Sequence, residues 1–248
     1  MIPPGDTSYP RTKNNFAETR WTLVLSAKVK DTPCAERALA ELCQQYWPPL
    51  YAFARRRGFA VHDAQDHTQA FFARLLEKDI LHSVAPEKGR FRTFMLVAFK
   101  RFLINAFEQA NTQRRGGGTT IVSMDVETAE QLYKTELVDT ASAEVVYERR
   151  WALTLLDKTM QRLKEEYVAG GKGEEFEILK IFLTAAKGDA NYEAAAAALK
   201  RTAGATRVAG HRIRRRYREL FREEIAQTVD QPNEIDDEVA HLLSVLTQ

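Results

Sequence analysis

The chain has 248 residues, of which 44% are hydrophobic and 28% charged, and its formal net charge at pH 7 is +2. It is large enough for one or two hydrophobic cores, and it has no apolar run of 18 residues that could form a membrane-spanning helix. The two cysteines, Cys34 and Cys43, lack the spacing of a zinc site or disulfide framework, and the N-terminal stretch lacks the apolar core of a signal peptide, so we expect reduced thiols in a cytoplasmic protein.

Helical periodicity dominates the front half of the chain, and strand signals are nearly absent. The predicted fold class is therefore all-α. Residues 1–19 are polar and rich in proline, which predicts a disordered tail. Helical patterns fit residues 21–30, 34–57, 61–79 and 90–113, and the first predicted helical domain spans residues 20–115. Pro48 and Pro49 predict a break or kink in the second pattern, because proline removes an amide donor and clashes with the preceding turn.

A glycine run and an acidic stretch separate this half from the next. Gly116, Gly117 and Gly118 end the fourth helical pattern, and residues 116–141 are predicted to form an acidic linker without a strong core. Helical periodicity resumes near Ser142, and the second predicted helical domain spans residues 142–226. Residues 230–248 are predicted to form an acidic amphipathic helix, since one stripe carries its apolar residues: Ile235, Val239, Leu242, Leu243 and Leu246.

The segment at residues 191–222 has the pattern of a helix-turn-helix. It predicts a short helix, a tight turn at Arg201–Ala205 and a long second helix. In a helix-turn-helix the second helix enters a DNA major groove. From Leu199 to Arg222 there are nine Lys/Arg and one Glu, the charge expected of a helix that binds a phosphate backbone. The alternative is a solvated basic face on an ordinary helical bundle.

Two other stretches carry candidate chemistry. His62, Asp63, Asp66 and His67 could hold a metal ion in a phosphohydrolase, although a polar helix start explains the same residues. The segment after Gly89 interleaves aromatic and basic residues, which suits single-stranded DNA because cations hold phosphates and rings stack on bases. Most of its aromatic residues are also spaced like a core stripe: Phe91, Phe94, Phe99 and Phe107, together with Leu96 and Leu103.

Three segments together resemble the extracytoplasmic-function sigma factors of bacterial RNA polymerase. They read YWPPLYAFARRRGFAVHDAQDHTQAFFARLLEK, GRFRTFMLVAFKRFLINAFEQANTQRRGGG and NYEAAAAALKRTAGATRVAGHRIRRRYRELF. The resemblance covers about residues 20–226, and the glycine run with the acidic C-terminal helix is similar to a long subgroup of that family. It implies that residues 20–115 form sigma domain two, which binds core polymerase and the −10 element. It further implies that residues 142–226 form sigma domain four, which reads the −35 element.

The resemblance also implies roles for individual residues. Polymerase binding is implied for Asp66, Gln69 and Phe72, of which the first two are i, i+3 neighbours on a helix. Binding of the −10 element is implied for Arg90, Arg92, Lys100, Arg101, Asn105, Arg114 and Arg115. Binding of the −35 element is implied for Thr202, Arg207, His211, Arg212, Arg214 and Arg215. Spacing alone does not assign an arginine to a guanine edge or to a phosphate.

Three positions depart from the family pattern. Lys200 stands where the family has a glycine in the helix-turn-helix, and a left-handed turn there costs a lysine roughly 1 kcal/mol or more. Thr206 and Gly210 stand where the family buries aliphatic residues, so the inward stripe of the second helix is predicted to be Thr206, Gly210, Ile213 and Tyr217. Ala70 replaces an acidic residue.

The expected function is that of a sigma factor, which binds core RNA polymerase, directs it to a two-element promoter and helps melt the −10 region. Such a protein performs no bond chemistry and needs no cofactor or metal. Its expected partners are core polymerase, promoter DNA and an anti-sigma factor. We expect no membrane association, a monomer within the holoenzyme and a cytoplasmic, nucleoid-associated location. The alternatives are a stand-alone helix-turn-helix regulator and the metal-dependent phosphohydrolase.

The tail helix leaves two alternatives of its own. Charge complementarity between Arg212–Arg218 and Glu234–Glu238 predicts that the acidic tail lies against sigma domain four or its basic recognition helix and masks it when polymerase is absent. The other alternative is a helix that caps the core of the second domain.

Overall fold

A computed structural model describes residues 33–77, 90–112, 126–135, 141–184, 191–226, 228–229 and 231–247. All regular elements in these ranges are helices, which confirms the all-α fold class. The predicted tail at residues 1–19, the predicted helix at residues 21–30 and the glycine run at Gly116–Gly118 lie outside them. Within the described ranges, no helix combines the length and apolar character needed to cross a bilayer.

Ten α-helices and one short 3-10 helix, Pro232–Glu234, make up the described part of the chain. The first four are α1 (Pro33–Arg56), α2 (Val61–Glu77), α3 (Phe91–Thr112) and α4 (Val126–Thr135). The longest helix is α5 (Ala143–Ala169), followed by the short α6 (Gly173–Leu179), α7 (Ile181–Thr184) and α8 (Tyr192–Ala198). The chain continues with α9 (Ala203–Ala226) and α10 (Ile235–Thr247).

Helix α1 runs without a break through Pro48 and Pro49, so the predicted break is wrong, while the alternative of a kink stays a prediction. An interior proline costs a helix about 3 kcal/mol or more. The neighbouring Tyr46, Trp47 and Leu50 are at most 2% exposed, and full burial of each large apolar side chain contributes about 1.5–3 kcal/mol. Burial against the rest of the first core, including α5, therefore offsets the cost of the prolines.

The segment predicted to be a coreless linker contains helix α4, which is a correction to the sequence interpretation. Ala129 and Tyr133 of α4 are buried. The carboxylate of Glu130 accepts a hydrogen bond from the Tyr51 hydroxyl at 2.6 Å and two from the Arg55 guanidinium at 2.9 and 3.0 Å. The Arg55 bonds, with the Tyr51 bond, lower the pKa of Glu130, and they fasten α4 to α1.

Two hydrophobic cores share the long helices. The first core gathers side chains from α1, α2 and α3, the front half of α5 and the end of α9. The second core gathers Leu163 of α5, Phe176, Leu179 and Phe182 of α6 and α7, and Ile213 and Leu220 of α9. The second core lies within residues 160–220, whereas the first core combines the front helices with α5, the end of α9 and α10. Because α5 and α9 enter both cores, the division into two domains at residues 116–141 stays a prediction.

Helix α10 packs on the first core, through Leu242 in the core itself and Ile235, Val239 and Leu246 around it. Its one ion pair to α9 in the described structure joins Asp236 to Arg222. The prediction that the tail helix covers Arg212–Arg218 is therefore wrong. The alternative of a cap on the second predicted domain agrees with the structure, because α10 packs with residues of α5 and of the end of α9, both within residues 142–226, at the first core.

Candidate nucleic-acid interface

Helices α8 and α9 form the helix-turn-helix, and each begins with a side-chain cap. The Asn191 side chain accepts a hydrogen bond from the backbone amide of Ala194 at 2.9 Å, and the Thr202 hydroxyl accepts one from the amide of Ala205 at 3.2 Å. Such caps satisfy amide groups that have no partner within the helix. Thr202, a predicted −35 residue, is exposed and terminates the turn.

The turn between these helices contains the strained residue that the sequence indicated. Lys200 has a φ of 53°, the left-handed conformation in which glycine is favoured. The turn lies between the end of α8 at Ala198 and the start of α9 at Ala203, so it begins earlier than the predicted Arg201–Ala205. Lys200 thus adopts the conformation expected at a position where glycine would be favoured.

The inward stripe of α9 agrees with the prediction. Thr206 and Ile213 are fully buried, Gly210 is buried and Tyr217 is half-buried. The Thr206 hydroxyl donates to the Thr202 carbonyl at 3.1 Å, which satisfies a polar group in the core.

Gly210 has a packing reason. A Cβ atom at Gly210 would lie 3.1 Å from Cδ2 of Phe182 and 3.2 Å from Cε1 of Tyr192. Two aromatic rings therefore occupy the space where the family carries an aliphatic side chain.

The cations of α9 fall into two groups along the helix. In the second half, Arg215 pairs with Glu219 at 2.9 Å, and Arg216 pairs with Glu166 at 2.6 Å and also with Glu219 and Glu223. In the first half, Arg207, His211 and Arg212 are exposed, and the described structure gives them no carboxylate partner. Arg218 in the second half is also exposed, and its guanidinium donates to the Arg214 carbonyl at 3.3 Å. Three of the four exposed basic side chains of α9 that have no carboxylate partner in the described structure therefore lie at its front, where recognition helices contact base edges.

Arg214, a predicted −35 residue, has a structural role. Its Nε atom donates to the Phe182 carbonyl at 2.8 Å, and its Nη1 atom donates to the Tyr192 hydroxyl at 3.2 Å. The side chain is half-buried across the inner side of α9. These contacts give Arg214 a role in holding the fold, and its predicted DNA contact stays a prediction.

Helix α3 presents a second surface of mixed character. Arg101 and Asn105 are exposed, as are Ile104 at 59% and Phe107 at 66%. Phe107 was predicted to belong to the core stripe, and its exposure corrects that interpretation. An open groove of about 540 Å³ runs beside these residues, lined by Phe53, Arg57, Phe59, Lys100, Leu103, Ile104, Phe107 and Glu144.

Lys100 stands at the edge of this groove. Its ammonium lies 2.6 Å from the Glu144 carboxylate and 5.6 Å from the centre of the Phe53 ring. The ammonium holds the pKa of Glu144 below its ordinary value. The side chain is still about a third exposed, so its charge reaches the groove although Glu144 partly neutralises it.

The predicted −10 residues at the start of α3 are held by helix α10. Arg92 is 3% exposed, and its guanidinium forms an ion pair with Glu238, lies 2.9 Å from Glu148 and stacks over Trp151 at 4.8 Å. Burial lowers the pKa of Arg92, and the charge of Glu148 opposes that shift. Arg90 pairs with the fully buried Glu238 at 2.9 Å. Burial contradicts a direct DNA contact by Arg92, and Arg90 is partly neutralised. Arg114 and Arg115 lie outside the described residues.

Helix α2 carries the predicted polymerase-binding residues. Asp66 is exposed and Gln69 is half-buried, so both are accessible on the surface of α2. Phe72 is only 4% exposed and packs in the first core. A direct contact by Phe72 with a partner is contradicted, and its role is to seat α2 on the core.

The candidate metal residues lie on the same helix. His62 and Asp63 are exposed, and the His67 ring packs edge-on against Phe59 with 5.0 Å between ring centres. In the part of the chain that the structure describes, no three His, Cys, Asp or Glu side chains gather in a way that could hold a metal ion.

Sequence patterns did not indicate three of these features: the Phe182–Tyr192 ring pair, the buried Glu238 and the exposed end of α3. For the ring pair the sequence held one indirect signal, Gly210, because glycine is unusual in the middle of a helix. The other two features had no such signal. No protein-family model, curated protein or solved structure matches this chain.

Proposed function

We propose that this chain is a sigma factor, which binds bacterial core RNA polymerase and directs it to promoter DNA. The observation that carries the proposal is the helix-turn-helix whose second helix, α9, exposes Arg207, His211 and Arg212 without carboxylate partners in the described structure. Exposed cations at the front of such a helix suit contact with base edges and phosphates in a major groove. Of the other arginines of α9, Arg216 is paired with carboxylates and Arg214 bonds to neighbouring elements, whereas Arg218 is a further exposed cation outside the proposed interface.

The surface of α3 supports the second half of the proposal, which is capture of the melted −10 strand. Phe107 and Ile104 offer exposed apolar surface next to Arg101 and the partly neutralised Lys100. Base stacking on an aromatic side chain contributes about 1–3 kcal/mol per base and is available only once a base is unpaired. Binding of unpaired bases in this groove would offset part of the free energy of strand separation, so the protein promotes melting without bond chemistry.

Helix α2 is the proposed contact with core polymerase. Asp66 and Gln69 form an accessible polar patch, and Phe72 beneath them fixes the helix on the first core. The patch uses a different helix from the two proposed DNA surfaces, so one chain could engage polymerase and promoter together. Conversely, a stand-alone regulator would have no use for this patch.

The test is selection of duplex DNA from a random library, by the full chain alone and by the full chain mixed with bacterial core RNA polymerase. We expect sequence-selective binding and run-off transcription from the selected templates only with both components. Arg212→Ala should reduce transcription at least fivefold, because it removes an unneutralised charge. Arg215→Ala is the matched control, since it removes an equal charge already paired with Glu219.

Two results would contradict the proposal. The first is equally selective DNA binding by the chain alone with no transcription when polymerase is added, which would favour the stand-alone regulator. The second is an Arg212→Ala protein with unchanged transcription, which would remove the front of α9 from the interface.

A further inference from the structure

A pair of stacked aromatic rings lies beneath the exposed front of α9. The rings of Phe182 and Tyr192 have centroids 4.6 Å apart and an angle of 17° between their planes. Gly210 gives them room, since a Cβ atom there would approach both rings within 3.2 Å. We call these two side chains the aromatic shelf.

Arg214 fixes the aromatic shelf from the other end. Its guanidinium donates to the Phe182 carbonyl and to the Tyr192 hydroxyl. Its carbon Cζ also lies 6.0 Å from the centre of the Phe182 ring. The Tyr192 ring is therefore held at its face by stacking and at its hydroxyl by a hydrogen bond, which leaves it little rotational freedom.

Arg207 lies on this shelf. Its Cζ atom is 5.3 Å from the centre of the Tyr192 ring, while the side chain as a whole is exposed. A guanidinium that stacks on an aromatic ring keeps its N–H groups free in its own plane and gives up conformational freedom before any ligand arrives. Arg212 is also exposed, but the described structure gives it neither a ring nor a carboxylate partner.

Preorganisation distinguishes the tasks that the two arginines suit. A bidentate bond to O6 and N7 of guanine requires a fixed, planar donor pair and is the commonest base-specific contact of arginine in a major groove. A phosphate contact tolerates a mobile side chain, because its attraction is mainly electrostatic. The stacked Arg207 fits the first task and the unstacked Arg212 fits the second.

We propose that Arg207 is the specificity-determining residue that reads one guanine of the promoter, and that Tyr192 is the positioning residue that holds it. This inference rests on the proposed function, because it requires that α9 bind duplex DNA. Phe182 supports the Tyr192 ring by stacking on it, and Gly210 leaves space for that ring. Tyr192 acts through Arg207 and need not touch DNA.

The test replaces each guanine of a selected duplex in turn by 7-deazaguanine, which lacks the N7 acceptor. The full chain with core polymerase should lose about tenfold in affinity at one guanine, the order of discrimination expected from a bidentate pair. Arg207→Ala should bind more weakly and respond to 7-deazaguanine at that position by less than twofold. Arg212→Ala should bind more weakly on every sequence, keep the tenfold response and reduce the slope of log affinity against log salt by about one.

Two substitutions test the positioning role. Tyr192→Leu should lose the 7-deazaguanine response although Arg207 is present, because the ring beneath it is gone. Tyr192→Phe should keep the response, since the ring remains and only the bond to Arg214 is lost. Thermal melting of each variant identifies one that fails to fold. If Tyr192→Leu fails to fold, Tyr192→Phe carries the test, because loss of the 7-deazaguanine response in that folded variant, which keeps the ring, overturns the positioning role of the ring.

The outcomes separate this inference from the proposed function. Selective DNA binding in which no guanine responds to 7-deazaguanine replacement overturns the role of Arg207. A response that persists in Arg207→Ala does the same, and both results leave the sigma-factor proposal intact. A tenfold response retained in a folded Tyr192→Leu protein overturns the role of Tyr192. Absence of duplex binding by the wild-type chain with polymerase overturns both proposals.

Discussion

Substitution of Glu238 by Gln removes the charge at the centre of the contact between α10 and α3. Glu238 is fully buried and pairs with Arg90 and with the buried Arg92. Loss of one partner of a buried ion pair costs about 3–5 kcal/mol, because a charge is left without compensation in the interior. Arg92 keeps Glu148 at 2.9 Å and the ring of Trp151. We therefore expect the lower end, about 3 kcal/mol of unfolding free energy.

The assay is urea unfolding of the full chain followed by circular dichroism at 222 nm. With a urea m-value of about 3 kcal/mol/M, the Glu238→Gln midpoint should fall by about 1 M. Asp237→Asn is the matched control, because Asp237 is exposed on the same helix, and it should change stability by at most about 0.5 kcal/mol. Replacing both partners, as Arg92→Met with Glu238→Leu, should recover part of the loss, since it removes both fully buried charges, while Glu148 keeps His241 at 3.4 Å. Equal midpoints for Glu238→Gln and Asp237→Asn would refute this account of α10.

Three further predictions concern other parts of the molecule. Glu130→Gln should destabilise the chain at pH 7 by about 1.5–3 kcal/mol. Because Arg55 depresses the pKa of Glu130 in the folded state, the difference in unfolding free energy between wild type and variant should narrow as the pH falls below the ordinary glutamate pKa of about 4.3. Urea midpoints that differ equally at pH 7 and pH 3 would contradict this. Lys200→Gly should raise the unfolding free energy by up to about 1 kcal/mol, because it relieves a left-handed backbone, and a lower urea midpoint would count against strain at the turn. Phe107→Ala should weaken binding of forked DNA by the polymerase mixture at least fivefold and leave the melting temperature unchanged, whereas unaltered binding would remove Phe107 from the groove's function.

Periodicity predicted the main helices well because their signals are local. The patterns at residues 34–57 and 90–113 correspond to α1 at Pro33–Arg56 and α3 at Phe91–Thr112. The prolines of α1 misled the prediction because their effect depends on tertiary burial. Helix α4 was missed because it is short and lies in an acidic segment. Among its described side chains, the buried apolar ones are Ala129 and Tyr133.

The sites were harder to predict because burial and ion pairing join residues that are distant in the chain. Nothing near Arg92 in the sequence indicates that Glu238 neutralises it. Periodicity places Phe107 on a helix face with Phe99 and Leu103. It does not show that the helices packed against that face leave Phe107 uncovered. The count of nine Lys/Arg from Leu199 to Arg222 describes composition, but only contacts distinguish the paired Arg216 from the unpaired Arg212.

The most direct test of the central proposal is capture of bacterial core RNA polymerase by the full chain, compared with the double variant Asp66→Ala, Gln69→Ala. Both side chains are accessible on α2, so their removal should leave the fold intact. His62→Ala, an exposed change on the same helix, is the control. The proposal predicts that the wild type and the control retain polymerase and that the folded double variant loses at least tenfold. Failure of the folded wild-type chain to retain polymerase would contradict it.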